Sequence, residues 1–233
     1  LLLLQKPFHL VPVEALPKLR LWIFTGITSG VVLLIIIGFF NAISPRTKKY
    51  DLQVAKEFVS GEPLHIVAVS DIHLGSIIRK RSMRHLSEMI SREKPDLVLF
   101  LGDLLDGSIG PVLRGDLLSY LNIPEPRFGI YAITGNHEFM SDLGKSIPYI
   151  ESKGVKVLKD EIVRLENGVQ IIGRIDRTAQ YTNGSRREPL ARLLAQPAPA
   201  APVLLLHPPP YHPPHPPATP VDPQLSRPPH HGP

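Results

Sequence analysis

Three times along this chain a short apolar run stops at a polar cluster, and that recurrence limits the fold more than any other feature. Leu64-His65-Ile66-Val67-Ala68-Val69-Ser70 runs into Asp71-Ile72-His73. Asp96 to Leu101 (DLVLFL) runs into Gly102-Asp103-Leu104-Leu105-Asp106, and Phe128 to Thr134 (FGIYAIT) runs into Gly135-Asn136-His137-Glu138. Short runs of this kind, β-branched and mostly apolar, read as buried strands. Helical periodicity lies between them. Lys80 to Glu93 sets Met83, Leu86, Met89 and Ile90 on one face, and Pro95 stops it. A shorter helix is expected around Val112 to Leu121, and Asp142 to Lys153 reads as helical despite Pro148. Three strands follow, Val155 to Leu158, Glu161 to Leu165 and Val169 to Gly173, the last two joined by an Asn167-Gly168 hairpin turn. Alternating strand and helix followed by hairpins gives an α/β fold with mixed sheets.

In α/β sheets the crevice at the carboxyl ends of the strands is where ligands bind. Three loops converging there bring carboxylate, imidazole and amide oxygen around a common point. These are ligands for hard and borderline divalent ions such as Mn, Fe, Zn or Mg. Gly102 and Gly135 let the backbone turn sharply just before the candidate ligands. Each cluster alone is ordinary: D-x-H and Gly-Asp are common surface turns. The three in order, each directly after an apolar strand, are not.

The order D-x-H (71–73), G-D-x-x-D (102–106) and G-N-H-E (135–138) resembles the signature of the calcineurin-like metallophosphoesterases. With an apolar segment upstream, the chain resembles their membrane-anchored YkuE-type branch. The resemblance covers Leu64 to the C-terminus and implies a β-sandwich flanked by helices and preceded by a transmembrane helix. It implies two divalent metal ions, with Asp71 and His73 on the first, Asp103 bridging both and Asn136 on the second. His137 would stand near the leaving group as general acid or transition-state stabiliser. His207, at the end of Val203 to Leu206, matches the family's next histidine and would also bind the second metal. Two cations about 3.5–4 Å apart lower the pKa of a bridging water and give hydroxide at neutral pH. The expected reaction is therefore hydrolysis of phosphate mono- or diesters. Asp106 is expected to orient a ligand or its loop from behind.

The segment Leu21 to Phe40, LWIFTGITSGVVLLIIIGFF, carries no charge over 20 positions, enough for a helix to cross a hydrocarbon core of ~30 Å. Trp22 suits an interface, and no small-x-small cleavage site marks a signal peptide. Lys18 and Arg20 on one side and Arg46, Lys48 and Lys49 on the other leave the side of the membrane open. The organisation expected is a membrane-proximal segment at 1–20, the transmembrane helix at 21–40, a connector at 41–63, the metallophosphoesterase domain at 64–196 and a Pro-rich C-terminal part at 197–233. The branch resemblance implies the bacterial cell membrane, with membrane lipids as neighbours and a lipid- or envelope-linked phosphate ester as substrate. Cysteine is absent, which removes thiolate metal sites and Cys nucleophiles. The net charge of +5 is mild and no basic block is interleaved with aromatics, so no nucleic-acid partner is expected.

The tail departs from the family pattern. From Pro197 onward, 15 of the 26 prolines fall in 37 residues, a composition that disfavours continuing a central sheet. The family closes its site with Gly-His-x-His after the last core strand. Here Arg227-Pro228-Pro229-His230 occupies that place: His230 matches the ligand of the first metal, and Pro228 stands where a second-metal ligand belongs. One hypothesis is that the tail is the degraded or misread end of the same domain, since single changes to cytosine produce each of its departures. Independent sequencing that returned the same prolines would sink it. The rival functional reading is an impaired phosphoesterase fold serving as a membrane-tethered scaffold. His65, His85, His212 and His215 read as packing or solvated residues. Arg79, Lys80, Arg81 and Arg84 form a basic cluster that reads either as a solvated helix face or as an attractor of phosphate groups or anionic lipid heads.

Overall fold

The computed structural model describes residues 16–42, 44–54, 63–182, 184, 186–196, 202–207 and 224–226. The chain divides into two compact units, residues 1–48 and 49–233. Among the described residues of the first unit, the helix α1 (Leu16–Ala42) runs for 27 residues and so extends the expected span at both ends. Between Pro17 and Asn41 its mean hydropathy is 2.4, and it is long and apolar enough to cross a bilayer.

The second unit begins its ordered core with β1 (Ile66–Val69), α2 (Lys80–Glu93), β2 (Leu97–Leu101), α3 (Ile109–Gly115), β3 (Ile130–Ile133), α4 (Asn136–Met140), α5 (Leu143–Glu151) and β4 (Val155–Leu158). Then come β5 (Glu161–Arg164), β6 (Gln170–Gly173), α6 (Ala179–Thr182), α7 (Leu190–Leu194), β7 (Val203–His207) and β8 (Gln224–Ser226). One sheet has the order β1-β2-β3-β4, all parallel; the other has the order β5-β6-β7-β8, antiparallel at β5/β6 and parallel beyond.

The two-residue repeat of a strand explains the layering. Along β2, Val98 and Phe100 face α2, α3 and α5, joining Met83, Leu86, Ile90, Val112 and Ile150 in one core. Leu97, Leu99 and Leu101 face the other way and meet Ile171, Leu204 and Leu206 of the second sheet. A third cluster packs Ile172, Val203 and Leu205 under Leu193 and Leu194 of α7. The layers therefore run helix, sheet, sheet, helix, which is the sandwich the resemblance implied. Each fully buried Leu or Phe here contributes roughly 1.5–3 kcal/mol relative to exposure.

Several expectations are corrected. The first strand is a half-covered edge, not a buried strand, because among the described residues β2 is its only neighbour. The helix expected at Val112 to Leu121 breaks at Asp116, where φ is 41°, into α3 and a 3-10 turn over Leu117–Tyr120. The tail does continue a sheet, against the expectation from its proline content: Val203–His207 pairs with β6 on one side and β8 on the other. The strand's own residues and those of β8 carry no proline, so every donor the ladder needs is present.

Candidate metal centre

The parallel pairing of β1, β2 and β3 sets their carboxyl ends side by side, so the three polar clusters leave the sheet at one edge. The loop after β1 is then stitched to the loop after β2. His73 N donates to the Asp103 carbonyl at 3.0 Å, Leu74 N to the Leu104 carbonyl at 3.0 Å, and Asp106 N to the Leu74 carbonyl at 2.9 Å. The stitching holds three non-glycine residues in the left-handed region: Asp71 (φ 56°), His73 (φ 49°) and Asp103 (φ 51°). Asp and His tolerate this region better than most residues, but it still costs on the order of 1–3 kcal/mol at each. Three such residues in two loops mark the place where the fold accepts strain to aim side chains.

The third cluster is not the loop that was expected. Gly135 caps α4, and Asn136, His137 and Glu138 are its first residues. Glu138 had been read only as a letter of the signature, yet it binds the loops together. It is buried and accepts backbone N–H groups from Gly135 at 2.7 Å, Leu105 at 2.9 Å and Asp103 at 3.1 Å. The signal for this was present as a glutamate three residues after an N-cap position, the spacing of a capping box. Burial pushes its carboxyl up to about 7, against the pull of the three N–H donors.

Ligand atoms of Asp71, His73 and Asp103 lie within 4.8 Å of one another, as do those of His73, Asp106 and His137. His73 Nε2 is 3.8 Å from Asp71 Oδ1 and 3.8 Å from Asp103 Oδ2, beyond hydrogen-bond length in both cases. Asp103 is completely buried and accepts the His137 backbone N–H at 3.1 Å. The His137 ring stands edge-on to His73, with centroids 4.4 Å apart, and its Nδ1 is 3.3 Å from Asp106 Oδ1. Burial lowers the His73 pKa and the neighbouring His137 acts the same way, while Asp103, Asp71 and Asp106 oppose them. A neutral imidazole between carboxylates is the protonation state a divalent cation requires, so the donor set fits such an ion.

Asn136 is half-buried at the start of α4, beside the same loops. His207 ends β7, and only its backbone is described; His230 and Pro228 lie outside the described residues. The 173–177 stretch, G-R-x-D-R, has a structural place. Arg174 Nε sits 3.4 Å from Asp160 Oδ1 in the turn between β4 and β5, and Asp176 N approaches Thr134 Oγ1 at 3.5 Å, bracing the end of β6 against that turn and against the end of β3.

The calcineurin-like phosphoesterase family matches residues 64–226, which contain all three clusters and both sheets. An uncharacterized metallophosphoesterase of Aquifex aeolicus is 32% identical over 129 residues, covering 55% of this chain and 48% of that protein. The Bos taurus "transmembrane protein with metallophosphoesterase domain" is 33% identical over 132 residues, covering 56% and 29%. YkoQ of Bacillus subtilis, also an uncharacterized metallophosphoesterase, is 29% identical over 168 residues, covering 66% and 60%. The matched stretch is thus about half of the Aquifex relative's length and less than a third of the bovine one's. With the sandwich, the ordered clusters and a match across well over half its length in agreement, the chain belongs to the calcineurin-like phosphoesterase family.

Proposed function

We propose that this chain is a membrane-tethered, metal-dependent hydrolase of phosphate mono- or diesters. The observation that carries the proposal is the convergence of Asp71, His73 and Asp103 at the ends of β1 and β2, with backbone strain at all three. In this reading Asp71, His73 and Asp103 would hold one divalent cation together with His230, and Asn136 and His207, with Asp103, would hold a second. Bound there, such ions would supply Lewis acidity and lower the pKa of a water towards neutral. The chain's own residues do the rest. Glu138 fixes the two loops at the spacing the ligands need. Asp106 stands against Nδ1 of His137 and orients the ring, leaving Nε2 to donate a proton to the departing oxygen. α1 tethers the domain, so the ester is lipid- or envelope-linked.

The test compares Mn-dependent hydrolysis of an aryl phosphodiester by the wild type and Asp103→Ala. Loss of more than about 100-fold is expected, in line with removing a group that aligns transition-state charge. Equal rates would remove the enzyme reading. Pro228, at a position where the family places a histidine ligand, then favours the scaffold reading: a phosphoesterase fold kept as a binding module.

A further inference from the structure

The loop that carries His73 continues into Ile77, which is 76% exposed, and then directly into α2. Within six residues that junction presents Arg79, Lys80, Arg81 and Arg84, all exposed, with His85 beside them. No carboxylate lies in the first turn of α2, and no described carboxylate forms an ion pair with any of the four. Cations at a helix amino end oppose its dipole and are there at a cost in helix stability. Two of them are also held in place: Lys80 Nζ and Arg84 Cζ lie 5.2 Å and 4.8 Å from the centroid of the Tyr120 ring. Since α2 connects two parallel neighbours, β1 and β2, it starts at the carboxyl edge of the sheet, the edge that holds the metal centre. At the end of α4, three residues beyond His137, Met140 is 66% exposed.

A large exposed apolar side chain flanked by cations that pair with no described carboxylate fits an anionic bilayer: the cations meet lipid phosphates and the apolar side chain enters the interface. We propose that this surface, Ile77 and Met140 with Arg79, Lys80, Arg81 and Arg84, docks on anionic membrane lipids and turns the mouth of the metal centre to the bilayer. The proposal rests on the membrane reading of α1 and gives the substrate class a reason, since an ester in the lipid surface would enter the site directly.

The chain has no cysteine, so a single introduced one can be labelled uniquely. The full chain carrying Ile77→Cys with an environment-sensitive fluorophore would be reconstituted in nanodiscs. One set would be phosphatidylcholine alone, the other equal parts phosphatidylcholine and phosphatidylglycerol. Ile27→Cys on α1 and Glu151→Cys, at the end of α5 away from the metal centre, carry the same label. The Ile27 label should report hydrocarbon in both discs and the Glu151 label water in both. The Ile77 label should shift to the blue and be quenched by a lipid-borne nitroxide only in the anionic discs. That difference should disappear in Arg79→Glu with Arg81→Glu, as expected if each cation adds roughly fivefold to partitioning. An Ile77 label in water in both discs, or a blue shift independent of lipid charge, would overturn the docking surface. An Ile27 label in water would instead overturn the tether on which it rests.

Discussion

Gly135 has no side chain because Asp103 occupies the space one would need. A Cβ there would stand 2.7 Å from the Asp103 backbone nitrogen and would collide with its carboxylate. Gly107, on the same loop as Asp106, is different: its nearest neighbour would be Met140 Cβ at 3.9 Å, ordinary contact. Gly135→Ala is therefore expected to lower hydrolysis by at least about 100-fold while Gly107→Ala leaves it within about twofold, as steady-state assays would show. Glu138 makes a second claim of this kind. Its carboxyl titrates near 7 in the fold and near 4.5 when unfolded, so between those values the folded chain keeps a proton that the unfolded chain has released. The metal-free protein should therefore lose stability as pH rises through that window and level off above it. Glu138→Gln removes that titration, so thermal unfolding from about pH 5 to about pH 8 should show the wild type falling with pH relative to the variant, while the opposite slope from the lowered His73 pKa is common to both.

Among the elements, α5 carries its own fault. Pro148 lies inside the helix, exposed, where it offers no N–H to the preceding turn. Pro148→Ala restores that bond without opening a cavity. It should stabilise the domain by about 1–3 kcal/mol, read as a rise in unfolding midpoint. The break in α3 has a different origin. Asp116 is held in the left-handed region while its carboxylate accepts the Tyr149 hydroxyl at 2.9 Å and meets Lys153 Nζ at 2.7 Å. Both partners come from α5 and the turn after it, more than thirty residues on. Local periodicity over Val112 to Leu121 carries no trace of them, which is why one continuous helix was the natural expectation. The helix α2, by contrast, was readable in its bounds and in three residues of its buried face, Met83, Leu86 and Ile90, since periodicity and the stop at Pro95 are local properties; Met89 is only half-buried and Ser87 takes a buried place instead.

For the molecule as a whole, what the sequence revealed and what it hid follow the same division. The metal centre was readable because each cluster directly follows the strand that aims it, and parallel pairing needs no distant information to bring the ends together. Of the brace by Glu138 only the local bond to Gly135 had a sequence signal; its bonds to Asp103 and Leu105, and the strain at Asp71, His73 and Asp103, were hidden, since they exist only once two loops are stitched. Half of the second sheet was readable too, as the hairpin of β5 and β6, but its continuation was not: β7 is flanked by proline-rich sequence, and composition averaged over the tail masks the proline-free strand within it. The first sheet has one further property. Its strands neighbour one another in the order in which they occur, all between Ile66 and Leu158. On the ribosome, Asp71, His73, Asp103 and His137 have therefore all emerged before the first residue of the second sheet, and the cradle can assemble as a nascent unit. What it lacks at that moment is a cover: Leu97, Leu99 and Leu101 have no second sheet to pack on until β6 and β7 are made.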